Sequence, residues 1–147
     1  YHPEDFDVLW RIDQDCFPPG ISYSRQELSF YLRRPGSFGL VASGRAAESI
    51  AGFIVAESGS HGSGHVVTID VIATARRSGV GSLLLRAAED RLRAARCRDV
   101  ALETAVDNIS ALSFYKRHGY SVIRTLPRYY SNGVDALVLK KEFGSVV

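Results

Sequence analysis

The chain has 147 residues, 46% apolar and 23% charged, with a net charge of +2. One domain over 1–147 is expected, since roughly 100–200 residues make a domain, and these proportions exclude a disordered tail, a collagen-like fibre and a simple coiled coil. No run of about 18 apolar residues points to a membrane span, and Cys16 and Cys97 stand in no disulfide or metal-ligand spacing, which predicts no metal and a reducing, cytoplasmic setting.

Pro3, Glu4 and Asp5 predict a helix start, with proline early and acids in the first turn. Phe6, Leu9, Trp10, Ile12, Asp13 and Phe17 follow approximately helical spacing until Pro18-Pro19-Gly20. Ser24 and Glu27 form a capping box ahead of Leu28, Tyr31 and Leu32, and Pro35-Gly36 ends that helix. Strands are expected over 38–42, 50–57 and 65–72, with a turn at 43–45 and a glycine- and serine-rich loop over 58–64. A long helix follows, with Val80, Leu84, Ala87, Ala88, Leu92 and Ala95 on one face. A strand over 99–104 comes next, and then a helix from Ile109 to a left-handed glycine cap at Gly119. Strands over 120–125 and 134–140 close the chain, joined by a connection containing Asn132-Gly133. This order predicts an α/β (α+β) fold, a mixed sheet with helices on both faces.

The most specific segment is Arg76-Arg77-Ser78-Gly79-Val80-Gly81, between a buried strand and a long helix. Glycines let backbone N–H groups approach an anion closely, and the helix start adds unsatisfied N–H groups and a positive dipole end. With two arginines beside them, residues 77–82 are expected to hold a diphosphate. The segment is not a Walker loop, since no Gly-Lys-Ser/Thr follows. It is not a dinucleotide fingerprint either, since Leu84 stands where a third glycine is needed. Arg86, Arg93 and Arg96 could form a stripe facing nucleic acid, but no aromatic platform interleaves them. A solvated helix face is the expectation, and no nucleic-acid partner.

These residues resemble the GNAT superfamily of acyl-CoA-dependent N-acetyltransferases. Arg76, Gly79 and Gly81 match its Arg/Gln-x-x-Gly-x-Gly/Ala motif. The segment from Asn108 through Ala111 and Tyr115 to Gly119-Tyr120 matches its Asn-x-x-Ala-x-x-x-Tyr-x-x-x-Gly-Phe/Tyr motif, in the same order and spacing. Phe17-Pro18, Leu102-Glu103-Thr104 and Tyr129-Tyr130 followed by Asp135-Ala136 are most similar to the ribosomal-protein-alanine (RimI-type) N-terminal acetyltransferases. The resemblance implies a mostly antiparallel sheet of six to seven strands, splayed at the cofactor site. It also implies a first strand ahead of the first helix. Only Tyr1-His2 stand there, which leads us to expect a chain trimmed before Tyr1. Two departures stand out: Ala73 replaces the family's usual proline, and Asp70 stands where the RimI type carries a small residue.

The resemblance implies direct transfer of acetyl from acetyl-CoA to an amine in a ternary complex. The expected acceptor is the N-terminal α-amine of a protein, a ribosomal protein among the candidates. The alternatives are a small-molecule amine or a non-catalytic CoA-binding module. The resemblance puts the general base at Glu103, a lone acid in an apolar strand, where desolvation would raise a carboxyl toward neutral pH. Asp70 is a second lone acid and the alternative base; if the strands are neighbours the two could share a proton, or Asp70 could hold the acceptor ammonium. Tyr115 is assigned the proton for the leaving thiolate and a cofactor contact. Asn108 can cap its helix and also bond the pantetheine arm. Ile69, Asp70 and Val71 are expected to bind the cofactor through backbone, with the Val71 amide as oxyanion donor. The cofactor-binding set is completed by Arg76, Arg77, Ser78, Gly79, Val80, Gly81 and Ser82. Phe17, Pro18, Tyr129 and Tyr130 are expected substrate walls. His2, His61, His65 and His118 fall in no ligand spacing and are expected at the surface or in loops. Monomer and homodimer both remain open.

Overall fold

The structure, a computed structural model, describes residues 1–43 and 49–144. A short 3-10 turn, Pro3–Asp5, leads into helix α1, Phe6–Cys16. Helix α2, Arg25–Arg33, opens with the predicted reciprocal cap: the Glu27 N–H donates to Ser24 Oγ at 3.1 Å and the Ser24 N–H to Glu27 Oε1 at 3.0 Å. Strands β1 (Ser37–Ser43), β2 (Ile50–Ser58) and β3 (Ser63–Val71) run antiparallel in succession. Of the turn expected at 43–45, residues 44 and 45 lie outside the described residues. β3 begins two residues earlier than expected, because Ser63 and Gly64 pair with Asp99 and Val100 of strand β4, Asp99–Ala105.

Helix α3, Val80–Ala94, precedes β4; helix α4, Ile109–Arg117, and strands β5 (Ser121–Leu126) and β6 (Ala136–Glu142) follow it. β6 starts later than expected because Val134 and Asp135 are occupied in the preceding loop. There the Tyr130 N–H donates to Val134 O at 3.2 Å and the Arg128 N–H to Asp135 Oδ1 at 2.7 Å. The six strands lie in the order β1-β2-β3-β4-β6-β5, and only β3 and β4 are parallel. This is the mixed, mostly antiparallel sheet that the sequence predicts.

Two cores form, one on each face. Leu9, Ile12 and Leu28 of α1 and α2 pack on Phe53 and Val55. Leu84, Leu85, Ala88 and Leu92 of α3 and Tyr115 of α4 pack on Ile54, Ala56 and Leu102. The buried stripe of α3 is rotated from the predicted one: Ala95 is exposed, and Glu89 is buried. Glu89 is tolerated there because Tyr120 Oη donates to it at 2.8 Å and Lys141 Nζ at 2.9 Å. Part of the arginine cluster also packs, with Arg91 over the Phe38 ring at 4.3 Å and Arg93 over Phe143 at 4.5 Å.

Candidate active site

β3 and β4 pair at three positions, ending at His65 and Ala101, and then part. The cause lies in β3. Ala56 pairs with Val66 but Val55 with Thr68, so Val67 is an inserted residue. Such a bulge bends its strand and increases the local twist. The opening is part of a cleft of about 1020 Å³. The Ile72 N–H donates to Ala51 O of β2 at 2.9 Å. Because strand groups alternate, the N–H and C=O groups of Ile69 and Val71 face the other way, into the opening.

Arg76, Arg77, Gly79, Gly81 and Ser82, from the loop expected to hold a diphosphate, line the cleft. Gly79 is the N-cap of α3 at φ 89° and Arg77 lies at φ 62°, both left-handed. No side chain caps α3, and its first turn holds no acid, so its leading N–H groups and dipole end are left for an outside anion. A Cβ built on Gly79 would meet nothing within 4 Å, whereas one on Gly81 would touch the Phe114 ring at 3.4 Å. Gly79 therefore keeps an open cradle and Gly81 serves helix packing. Ser78 Oγ donates to Ala75 O. Ser82 Oγ bonds His118 Nε2 at 2.8 Å, so His118 joins this end instead of lying free. Arg76 Nε donates to Val71 O at 3.1 Å, while Arg77 has no carboxylate partner among the described residues.

Glu103 sits mid-cleft, its side chain 20% exposed. His65 Nε2 donates to Glu103 Oε1 at 2.9 Å and Oε2 at 3.1 Å. His65 Nδ1 lies 3.5 Å from Glu57 Oε1, and Arg34 Nε lies 3.6 Å from Glu57 Oε2. Burial opposes the imidazolium, but the Glu103 hydrogen bond and charge, with Glu57 behind, outweigh it and raise the His65 pKa. His65 is thus a site residue that sequence reasoning sent to the surface. Its only signal was strand alternation, which puts one polar side chain of β3 beside Glu103.

Tyr129 Oη donates to Glu103 Oε1 at 3.4 Å, and the Tyr129 and Tyr130 rings meet edge to face at 5.0 Å. Across from them, Phe17, Pro18, Ile21 and Tyr23 line the cleft. The two walls touch: Ser131 Oγ donates to Gly20 O at 2.9 Å. Tyr115 lines the cleft from α4, and burial, then the Asp70 charge, push its phenol well up, so it is a neutral donor. Asn108 Oδ1 accepts the Ala111 N–H at 3.2 Å, which makes it the α4 cap, and it too lines the cleft.

Asp70 behaves differently from both expectations. It is 1% exposed, does not line the cleft, and has Asp13 of α1 as its carboxyl neighbour. It neither shares a proton with Glu103 nor presents a carboxylate to an acceptor. Its side chain points to the α1 face, while Glu103 binds His65.

Residues 6–120 match the acetyltransferase (GNAT) family, and the chain belongs to it. It is 31% identical over 144 residues to an uncharacterized N-acetyltransferase of Methanocaldococcus jannaschii, covering 97% of this chain and 88% of that one. It is 28% identical over 134 residues to N-alpha-acetyltransferase 30 of Schizosaccharomyces pombe, covering 88% and 86%. Its fold matches a chain of the NatC complex solved with Gag peptide and CoA, at a TM-score of 0.81 and 26% identity over 97% and 93% of the two chains. The protein is an acetyl-CoA-dependent N-acetyltransferase. No helix among its described residues is long and apolar enough to cross a membrane.

Proposed function

We propose that this enzyme acetylates the N-terminal α-amine of a polypeptide by direct attack in a ternary complex. One observation carries the reading. A single cleft is lined by Arg77 and Gly79 of the glycine loop, by Glu103, and by the Phe17-Pro18 and Tyr129-Tyr130 walls. Acetyl-CoA enters from one side, and a peptide end meets it at Glu103 from the other. The naming of the Schizosaccharomyces pombe relative as an N-alpha-acetyltransferase supports the same acceptor class.

The residues fit the cofactor. The open cradle at Gly79 and the uncapped start of α3 suit a diphosphate, with Arg76, Arg77, Ser78, Val80, Gly81 and Ser82 around it. The outward-facing backbone of Ile69 and Val71 suits the pantetheine amides, with Asn108 beside it. The thioester supplies the acyl group. Glu103 takes the ammonium proton, and His65 holds its carboxylate in place and offers an onward path through Glu57. The Val71 N–H stabilises charge developing on the carbonyl oxygen. Tyr115 protonates the departing sulfur. Tyr129 orients Glu103 and, with Phe17, Pro18 and Tyr130, receives the first residue of the acceptor. All of these residues come from one chain, so a monomer suffices. The free thiols of Cys16 and Cys97 accord with a cytoplasmic enzyme, for which ribosomal proteins are available acceptors.

The test is to incubate the protein with acetyl-CoA and either a degenerate peptide library or a panel of small amines, following CoA release. Peptide-dependent release, with the label on the α-amine, is expected. Turnover confined to small amines would overturn the acceptor assignment.

A further inference from the structure

Asp13 and Asp70 are two acids buried where the mechanism has no use for them. Both are fully enclosed, at 0% and 1% exposure. Each carboxyl is satisfied on one side. Asp13 Oδ2 accepts the Tyr23 N–H at 2.7 Å, and Asp70 Oδ1 accepts from Thr68 Oγ1 at 2.5 Å. The other oxygens, Asp13 Oδ1 and Asp70 Oδ2, find no protein donor. The two carboxyls are hydrogen-bonding neighbours, so each orphan oxygen is left to the other. Two acceptors cannot bond without a hydrogen between them, and two bare carboxylates at that depth would repel with little screening.

We propose that Asp13 and Asp70 hold one proton between them, and that this proton fastens the loop between α1 and α2, the acceptor-side wall of the cleft, to the cofactor strand β3. They are positioning residues, and the role rests on our reading that this wall receives the acceptor. The route to the wall is short. Asp70 pairs with Phe53 within the β2–β3 ladder, so it is fixed to the sheet. Asp13 holds the Tyr23 N–H; Trp10 Nε1 and Gln14 Nε2 donate to Tyr23 O at 3.2 and 2.7 Å; and Tyr23 Oη donates to Val67 O, at the bulge, at 3.2 Å. Tyr23 is thereby held at three points and faces the cleft. Without the proton, mutual repulsion pushes α1 from β3 and releases that grip.

The surrounding charges agree with one retained proton. Burial and then Asp13 raise the Asp70 carboxyl well above the usual range, which places the proton on Asp70 and leaves the charge with Asp13. Asp13 is itself raised by burial, with Glu27 of α2 adding repulsion and the Asp70 and Tyr23 hydrogen bonds pulling the other way. Burial raises the pKa of Cys16 of α1 and of Tyr115 of α4, and the negative charge held by the pair adds to both. Arg76 reaches Cys16 Sγ at 3.7 Å, and no cation acts on either carboxyl among the described residues. The sign follows. A carboxyl raised in the folded state binds its proton more tightly than the unfolded chain does. The contribution to stability is therefore full below the ordinary aspartate range and is lost as pH rises through the folded pKa.

The test uses the intact enzyme and two kinds of substitution. Asp70→Asn carries its own N–H donor and still accepts from Thr68, so it replaces the shared proton with a permanent one. Asp70→Ala removes both. We expect peptide KM of the parent to rise at alkaline pH, as the shared proton is lost, and Asp70→Asn to abolish that rise. We expect Asp70→Ala to raise peptide KM roughly tenfold at every pH with kcat kept, the pattern of lost uniform binding. Asp13→Asn, which can still accept from Tyr23 and donate to Asp70, should match Asp70→Asn. Carbon-13 NMR titration of the aspartate carboxyls, with no substrate present, reads the proton directly and should show one buried carboxyl still protonated when the surface ones have ionised. Both buried carboxyls titrating with the surface ones would overturn the shared proton, whatever the acceptor proves to be. A protonated pair with Asn and Ala variants of identical peptide KM would overturn its hold on the wall. If the Ala variant fails to fold, the Asn variants and the titration still decide.

Discussion

Glu103 lies two residues beyond Ala101, the last position at which β4 pairs with β3, and its carboxylate meets His65, the partner of Ala101 in that ladder, at 2.9 Å. The acid proposed as base is thus attached to the final rung of the ladder, at the point where the strands part. This placement gives it both a firm anchor and access to the cleft.

Glu103→Gln is expected to lower kcat by about 10²-fold or more, the scale of a lost general base. The amide still bonds His65, so acetyl-CoA affinity should hold. Parental kcat in a folded Glu103→Gln enzyme would take the base role away from this residue.

His65→Gln separates anchoring from charge. His65 in the folded enzyme keeps its proton above the ordinary histidine value of 6.5. Its contribution to stability is complete below that pH and fades as pH rises through the raised value. Thermal melts across that window should slope downward with pH in the parent and flatten in His65→Gln. An unchanged slope would show that the pair is not what titrates.

Tyr115→Phe should leave acetyl-CoA affinity intact and slow single-turnover acetylation, as for a contact made mainly in the transition state. The ring is held by Phe114 and Tyr120 at centroid distances of 5.4 and 5.8 Å, so the variant should fold. Lost affinity with a normal single-turnover rate would make Tyr115 a cofactor wall.

Gly79→Val tests the cradle. A side chain there meets no protein atom, but it must adopt a left-handed backbone at about 1–2 kcal/mol and would occupy the space kept for the anion. Calorimetry should show acetyl-CoA binding weakened roughly tenfold or more. Unchanged affinity in the folded variant would remove the diphosphate from this loop.

Arg96 follows α3 at φ 67°, and the Cys97 N–H donates to Leu92 O at 2.9 Å, a helix ending that favours glycine. Arg96→Gly should stabilise the protein by about 0.5–1 kcal/mol, visible in urea denaturation. A loss of stability would mean that the arginine side chain contributes more than its backbone costs.

Local chemistry made much of this site legible before any coordinates. The loop from Arg76 to Gly81, the Asn108 cap and the Gly119 ending are each written in consecutive residues, and each appears where expected. Glu103 announced itself as an acid in an apolar strand. His65 did not, because its meaning comes from a strand distant in sequence and from a bulge that alternation alone does not reveal. Asp13 was visible in principle: it shares helical spacing with Leu9 and Ile12, an acid on an apolar stripe. Asp70 stands out as an acid in an apolar strand, but sequence alone points to Glu103 of β4 as its partner, whereas the partner is Asp13 of α1. Single side chains were readable; which face of the sheet they shared was not.

The six strands are two antiparallel triplets, joined across β3 and β4 by three residue pairs. A ligand whose arm lies along the parted edges acts as a stitch between them. Saturation at a hundred times Kd adds about 2.7 kcal/mol to the folded state of any such protein, and a pantetheine arm bound where we propose would add it at the seam. Backbone amides along 66–71 should exchange more slowly once acetyl-CoA is bound. Since degradation follows the open population, cellular acetyl-CoA would set how long each enzyme molecule survives as well as how fast it turns over.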